Sequence, residues 1–247
     1  MNIGIVYIRH NCFVLHMGRQ SLLFDPPDTD HLGIEGRTAL KVAIQGRNMT
    51  VFVSHSHSDH CHHDLREILS PALNADFVLA YDVYEMTPEN VPPGSLIMEP
   101  DQQAMQGALS IKTLESNDLG IAFLVEFAGA RIYFGGDLAD WCWENASAAA
   151  KTFAATFFDK ALDRIAAFKP DVGFSNADPR LPCFGGASRF VQKVVPGVFV
   201  PMHAFGRPEA LGPLLEVLSA KHPRQKVFRY AASGNSMRVN AKLDPKS

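Results

Sequence analysis

The segment Thr50-Val51-Phe52-Val53-Ser54-His55-Ser56-His57-Ser58-Asp59-His60 changes character at its midpoint. Its first half is β-branched and aromatic, the composition of a buried strand. Its second half sets four potential metal ligands, His55, His57, Asp59 and His60, within six residues. Alternate residues of an extended segment project to one side, so His55 and His57 can reach one ion together. Asp59 and His60 begin the turn that follows and point toward a neighbouring ion. Imidazole nitrogen and carboxylate oxygen suit zinc, and also manganese or iron. The intervening serines are small and permit close approach. A loop that is merely rich in histidine has no reason to keep this spacing directly behind a hydrophobic strand.

Working outward, residues 3–8, 13–17 and 21–24 read as a strand meander, with Met17-Gly18-Arg19-Gln20 as a hairpin connection. Asp25-Pro26-Pro27 ends that ladder, because proline cannot donate a backbone hydrogen bond. A short helix over 62–69 and a strand over 77–80 follow the histidine run. A second strand group covers 109–114, 121–127 and 131–134. A long helix is predicted over 145–168, where Phe153, Phe157, Ala161, Ile165 and Phe168 form one apolar stripe for a core. Pro170 closes it. Strands at 172–175 and 198–200 flank a helix near 187–194, and a last helix covers 208–220. This order predicts two packed sheets with helices outside. No linker, repeat or low-complexity tract divides the chain, so one domain over 1–247 is expected.

With 47% hydrophobic and 20% charged residues, the chain has the composition of a globular protein with a sizeable core. A net charge of −3 and the lack of Lys/Arg blocks disfavour a nucleic-acid partner, while leaving a small phosphorylated substrate open. The four cysteines form no CxxC pair, the N-terminus lacks the plan of a signal peptide, and no apolar run is long enough to span a membrane. Reduced thiols in a cytoplasmic protein are the expectation.

The HxHxDH run resembles the defining motif of the metallo-β-lactamase superfamily, metal-dependent hydrolases. Tyr133-Phe134-Gly135-Gly136-Asp137 is similar to that family's strand-Gly-Asp element, and Val200-Pro201-Met202-His203 to its strand-end histidine. The resemblance spans nearly the whole chain. It implies an α+β fold, a four-layer αββα sandwich, with one or two divalent metal ions: zinc, or else manganese or iron. It assigns His55 and His57 to the first metal, Asp59, His60 and His203 to the second, and Asp137 as the bridge. The family's usual third histidine for the first metal is missing. Its position falls on or beside Asn117 in Leu114-Glu115-Ser116-Asn117-Asp118-Leu119-Gly120, where Asp118 either substitutes as an oxygen ligand or caps a turn.

His10 sits where the branch resembling ascorbate-phosphate lactonases and N-acyl phospholipid phosphodiesterases carries a histidine facing the metals; the other reading is a surface turn. Asp25 is expected to orient a metal-bound imidazole. Arg180 either clamps an anionic substrate group or makes a surface salt bridge. Trp141 and Trp143 either border the metal mouth or anchor the long helix. Cys61 is expected to face the core, and His62 and His63 the solvent. The function implied is hydrolysis of an ester, lactone, amide or phosphodiester bond in a small molecule, with Asp59 orienting the nucleophile and shuttling its proton. The alternatives are a non-catalytic metal or ligand binder with a decayed site, and a nucleic-acid phosphodiesterase, which the composition disfavours.

Overall fold

The computed structural model describes residues 1–241. Strands β1 (Asn2–Arg9), β2 (Cys12–Met17) and β3 (Gln20–Phe24) form the antiparallel meander. Helix α1 (Thr29–Ile44) then carries the chain to β4 (Asn48–Val53), which lies parallel to β3. Helix α2 (Leu65–Ile68) leads to β5 (Asn74–Ala80), and α3 (Tyr81–Met86) to β6 (Leu96–Met98). A second meander, β7 (Gln103–Gln106), β8 (Leu109–Glu115), β9 (Ile121–Phe127) and β10 (Ala130–Phe134), gives way to parallel strands. These are β11 (Val172–Asn176), reached through α4 (Ala148–Phe168), and β12 (Val198–Met202), reached through α5 (Ala187–Val194). Helix α6 (Gly212–Lys221) follows, and β13 (Ser236–Asn240) returns to pair with β1.

The strand orders are β13-β1-β2-β3-β4-β5-β6 in one sheet and β12-β11-β10-β9-β8-β7 in the other. The sheets meet face to face through phenylalanines. Ring centroids lie 4.5 Å apart for Phe24–Phe134, 5.0 Å for Phe13–Phe174 and 5.2 Å for Phe52–Phe123. Burying each such ring contributes about 1.5–3 kcal/mol, and favourable ring pairing about 0.5–1.5 kcal/mol more. Helix α1 covers β1 and β2 on one outer face, and α5 covers β11 on the other, with α4 packed beside it. The result is the expected α+β sandwich of four layers.

Direction decides where the chemistry gathers. β1, β3 and β4 run the same way in the first sheet, and β10, β11 and β12 do so in the second. Their carboxyl ends release His10, Asp25, the 54–60 loop, Asp137, Asp178 and His203. Crevices at the carboxyl ends of parallel strands are the habitual ligand sites of such sheets.

Two expectations need correction. Helix α1 escaped the sequence reading because Gly33, at φ 65°, kinks it and interrupts its apolar period. The buried stripe of α4 is Ala154, Phe158, Ala161, Leu162 and Ile165, whereas Phe153 is 64% exposed. Apolar residues occupy two adjacent rows of this helix, and period alone does not say which row faces inward. The N-terminal cap is Ser147, whose side chain accepts the Ala150 N–H, and Lys169 ends the helix in the left-handed conformation, just before Pro170. Phe158→Ala is expected to lower unfolding free energy by about 3–5 kcal/mol. Phe153→Ala should stay within about 0.5 kcal/mol. Denaturant titration of the two variants reverses this order if the sequence-derived stripe is the true one.

Candidate metal centre

Asp25 follows β3 at φ 42° and is fully buried. Its carboxylate accepts the Ser54 backbone N–H (2.7 Å) and the Ser54 hydroxyl (2.7 Å), and it also accepts from His60 Nδ1 (2.7 Å). With the Ser54 proton committed to Asp25, the Ser54 oxygen accepts from His55 Nδ1 at 3.0 Å. Both imidazoles are thereby fixed with a proton on Nδ1 and a bare Nε2. The expectation for Asp25 as an orienting group matches this arrangement. The loop is also tied down by Ser56 N–H donating to Asp82 (2.7 Å) and by His60 and Cys61 N–H donating to the His57 carbonyl. Glycine at 120 is required here: φ is +67°, and a Cβ would stand 2.0 Å from the Ser54 carbonyl oxygen.

The three separated stretches meet. His55 Nε2 and His57 Nδ1 lie 3.1 Å apart. The Asp137 carboxylate lies 3.2 Å from His203 Nε2, 3.5 Å from His60 Nε2 and 3.8 Å from His55 Nε2, so it stands among imidazoles of both groups. Asn11 steadies it with a hydrogen bond of 3.3 Å. Asp59 lies 3.9 Å from His60 Nε2 and 3.4 Å from His10 Nε2. His10 is buried, not a surface turn residue, and its ring centroid is 4.5 Å from that of His203. Asp118 brings a carboxylate oxygen within 4.8 Å of ring nitrogens of both His55 and His57. Asn117 is committed elsewhere: its amide donates to the Ala139 carbonyl (2.8 Å) and accepts the Ala139 N–H (3.1 Å). The turn is served by Ser116, whose hydroxyl accepts the Asp118 N–H at 3.3 Å. A carboxylate therefore faces the first pair of histidines where the family pattern leads one to expect an imidazole.

The donor set fits divalent cations. Burial alone would raise the Asp137 pKa, but His203, His60 and His55 hold it well below the usual carboxylate range. Burial alone would lower His203, but Asp137 and Asp178 carry it up to about 9. The pocket therefore has a field that favours positive charge. The Nε2 of His60 is buried and lacks a hydrogen-bond partner, as a ligand atom aimed at a cation should. Four of the nine non-glycine residues with left-handed φ among the described residues, His10, Asp25, His203 and Phe205, lie in or beside this cluster. Such backbone strain gathers at functional sites.

A cleft of about 350 Å³ opens over Asp59, Asp118, Asp137 and His203, walled by Trp141, Trp143, Phe205 and Arg180. The tryptophans, parallel within 7°, border this mouth, which decides between the two readings of them. Arg180 is half exposed. Its Nε and Nη2 donate to the buried Asp178, and its guanidinium lies 4.1 Å from the Phe205 ring centroid and 5.3 Å from that of Trp143. It is thus part of the cleft wall as well as a salt-bridge partner.

Other expectations fare unequally. Cys61 is buried, as expected, and His63 is exposed beside Asp28. His62 is not solvent-facing: it is 3% exposed and bonds to Thr29 Oγ1 at 3.1 Å, because α1, unforeseen, packs against it. The expectation of reduced thiols fails for one pair. Cys142 and Cys183 form a disulfide across 41 positions, joining the loop after β10 to the loop after β11. The sequence reading looked for local spacing, and this pairing is made by tertiary structure. The support that reduced thiols gave to a cytoplasmic location goes with it. No helix among the described residues is long and apolar enough to cross a membrane.

Residues 4–151, more than half of the chain, match the family model of the Beta-lactamase superfamily domain, and the chain belongs to that superfamily. Several solved structures share its fold. A metallo hydrolase from the archaeon Ignicoccus hospitalis aligns at 15% identity and TM-score 0.63, covering 98% of this chain and 100% of the other. The metallo-beta-lactamase fold protein YhfI from Bacillus subtilis aligns at 14% identity and TM-score 0.60, covering 96% and 100%. An isothiocyanate hydrolase from Delia radicum gut bacteria aligns at 13% identity and TM-score 0.60, covering 97% and 100%. No functionally curated protein matches the chain. At these identities the likeness establishes the fold.

If Asp25 sets the imidazole tautomers, Asp25→Asn should weaken divalent-cation binding about 10–100-fold, measured by competition with a chromogenic chelator. Unchanged affinity would remove Asp25 from that role.

Proposed function

We propose that the chain is a metal-dependent hydrolase of small molecules, acting on an ester, lactone, amide or phosphodiester bond. The observation that carries this reading is the gathering of His55, His57, Asp59, His60, Asp118, Asp137 and His203, from four separate stretches, beneath one open cleft. A purely structural metal site is normally closed by four protein ligands and has no such mouth. His55, His57 and Asp118 would hold one cation, Asp59, His60 and His203 a second, and Asp137 would lie between them. Zinc is the first choice for this nitrogen and oxygen set, with manganese or iron as alternatives. A bound divalent cation supplies Lewis acidity and lowers the pKa of water from 15.7 to about 7 at a good zinc site.

The chain's own groups do the rest. Asp59 is partly exposed at the cleft floor; burial raises its pKa, but the neighbouring His10 ring, 3.4 Å away, and the charge of His60 outweigh that and hold it below the ordinary carboxylate value. It is ionised, and from this position it would orient the nucleophile and relay the nucleophile's proton to the leaving group. Arg180, oriented by Asp178 and pressed on Phe205, presents its remaining guanidinium edge to an anionic group of the substrate. Trp141, Trp143 and Phe205 exclude water from the apolar part. A cleft of about 350 Å³ lies near the lower end of the ~300–1,000 Å³ range of small-ligand sites.

The test is hydrolysis across a panel of esters, lactones, amides and phosphodiesters, joined by an isothiocyanate because a structural neighbour is a hydrolase of that compound class. Purified protein should carry one to two equivalents of metal, lose turnover on chelation and regain it on reloading. Full metal content without turnover on any substrate would instead mark a binding protein. Asp59→Ala should lower kcat about 10²–10⁴-fold while the thermal midpoint stays within a few degrees. Arg180→Met should raise KM roughly 10–100-fold for carboxylate- or phosphate-bearing substrates and leave neutral ones nearly unaffected. Equal effects on both would deny Arg180 a part in charge recognition.

A further inference from the structure

His10, His60 and His203 each bring a ring nitrogen within 4.8 Å of the other two, a geometry that by distance alone makes all three candidate ligands of one ion. Counting protons separates them. His60 donates from Nδ1 to Asp25 and turns a partnerless Nε2 toward the cluster, while His203 sets Nδ1 3.2 Å from Asp178 and Nε2 3.2 Å from the Asp137 carboxylate. His10 is held the opposite way. Its Nδ1 accepts the backbone N–H of Phe205 at 3.2 Å, and a backbone amide can only donate. The single proton of a neutral imidazole must then sit on Nε2.

We propose that His10 is a hydrogen-bond donor at Nε2 and not a metal ligand, and that it serves the substrate oxygen that gains negative charge when the scissile centre is attacked. That nitrogen is buried, has no hydrogen-bond partner, and lies 3.4 Å from Asp59 Oδ2 at the cleft floor. An unpaired buried donor is costly, and an arriving oxyanion removes the cost in the transition state. The ring is locked in place. Its centroid lies 4.4 Å from that of Phe205 and 5.1 Å from that of His60, and both His10 and Phe205 have left-handed φ, 50° and 49°. Asp59, whose Oδ2 lies 3.4 Å from this nitrogen, lines the cleft that a substrate would enter.

The role at the substrate rests on the hydrolytic reading above, whereas the tautomer does not, and the experiment keeps the two apart. Long-range ¹⁵N–¹H correlation spectra of zinc-loaded protein, labelled on histidine, should show His10 protonated at Nε2 and bare at Nδ1, with His60 the reverse. A His10→Leu variant should keep the wild-type zinc equivalents by elemental analysis. On any substrate found, its kcat should fall about 10²–10³-fold with KM within a few-fold. His10→Gln, whose amide N–H reaches the same place, should keep the zinc and recover part of kcat, and it carries the test if the leucine variant does not fold. Loss of a zinc equivalent, a proton on His10 Nδ1, or an unchanged kcat in the leucine variant overturns the proposal. Absence of all wild-type turnover defeats the hydrolase reading instead, and the spectrum and zinc content still decide whether His10 is a ligand.

Discussion

The Asp25 carboxylate is the point on which the site depends. It sits between the end of β3 and the loop after β4, fully buried, and accepts from Ser54 N–H, Ser54 O–H and His60 Nδ1. A buried charge is tolerable only when its lone pairs are satisfied, and here they are satisfied by the segment that carries the histidines. One carboxylate thus fixes the path of the loop, the rotation of His60 and, through the Ser54 oxygen, the tautomer of His55. Remove it and the imidazoles are still present but no longer aimed.

The sandwich supplies the remaining precision by strand direction. Strands that run together in each sheet end at one rim, and their first loop residues are the site residues. The phenylalanine contacts between sheets hold the two rims in register, so Asp137 and His203 from one sheet face His55 and His60 from the other. The aromatic and cationic wall is a separate layer built on loops. Its two arms, which carry the tryptophans and Arg180, are joined by the Cys142–Cys183 bond. The floor residues therefore stand on the strand ends of the fold, while the wall stands on loops.

Much of this was legible in the chain itself. The 50–60 stretch joins a buried strand to closely spaced ligands, and the Gly-Asp and Met-His strand ends follow at family-like distances; these features foretold both the sandwich and the residues that converge. What escaped has physical causes. Helix α1 contains a kinking glycine, and β6, β7 and β13 are short or exposed, so hydrophobic period gives them little signal. The face of α4 was misread because two apolar rows compete. The disulfide, the burial of His62 and the contacts of Arg180 arise from segments far apart in sequence, which no local pattern reveals. His10 was placed at the site by likeness alone; its orientation became readable only with the Phe205 amide in view.

The clasp between Asn117 and Ala139 has a further consequence. It is reciprocal, one amide side chain closing a ring with one backbone unit, and it fastens the loop that carries Asp118 to the segment leading into the tryptophan wall. A histidine placed at position 117 would break this clasp, since its ring cannot both reach inward and mimic a peptide group. The amide at 117 is thus spent on holding the loop, and the carboxylate at 118 is the group left to face the histidines.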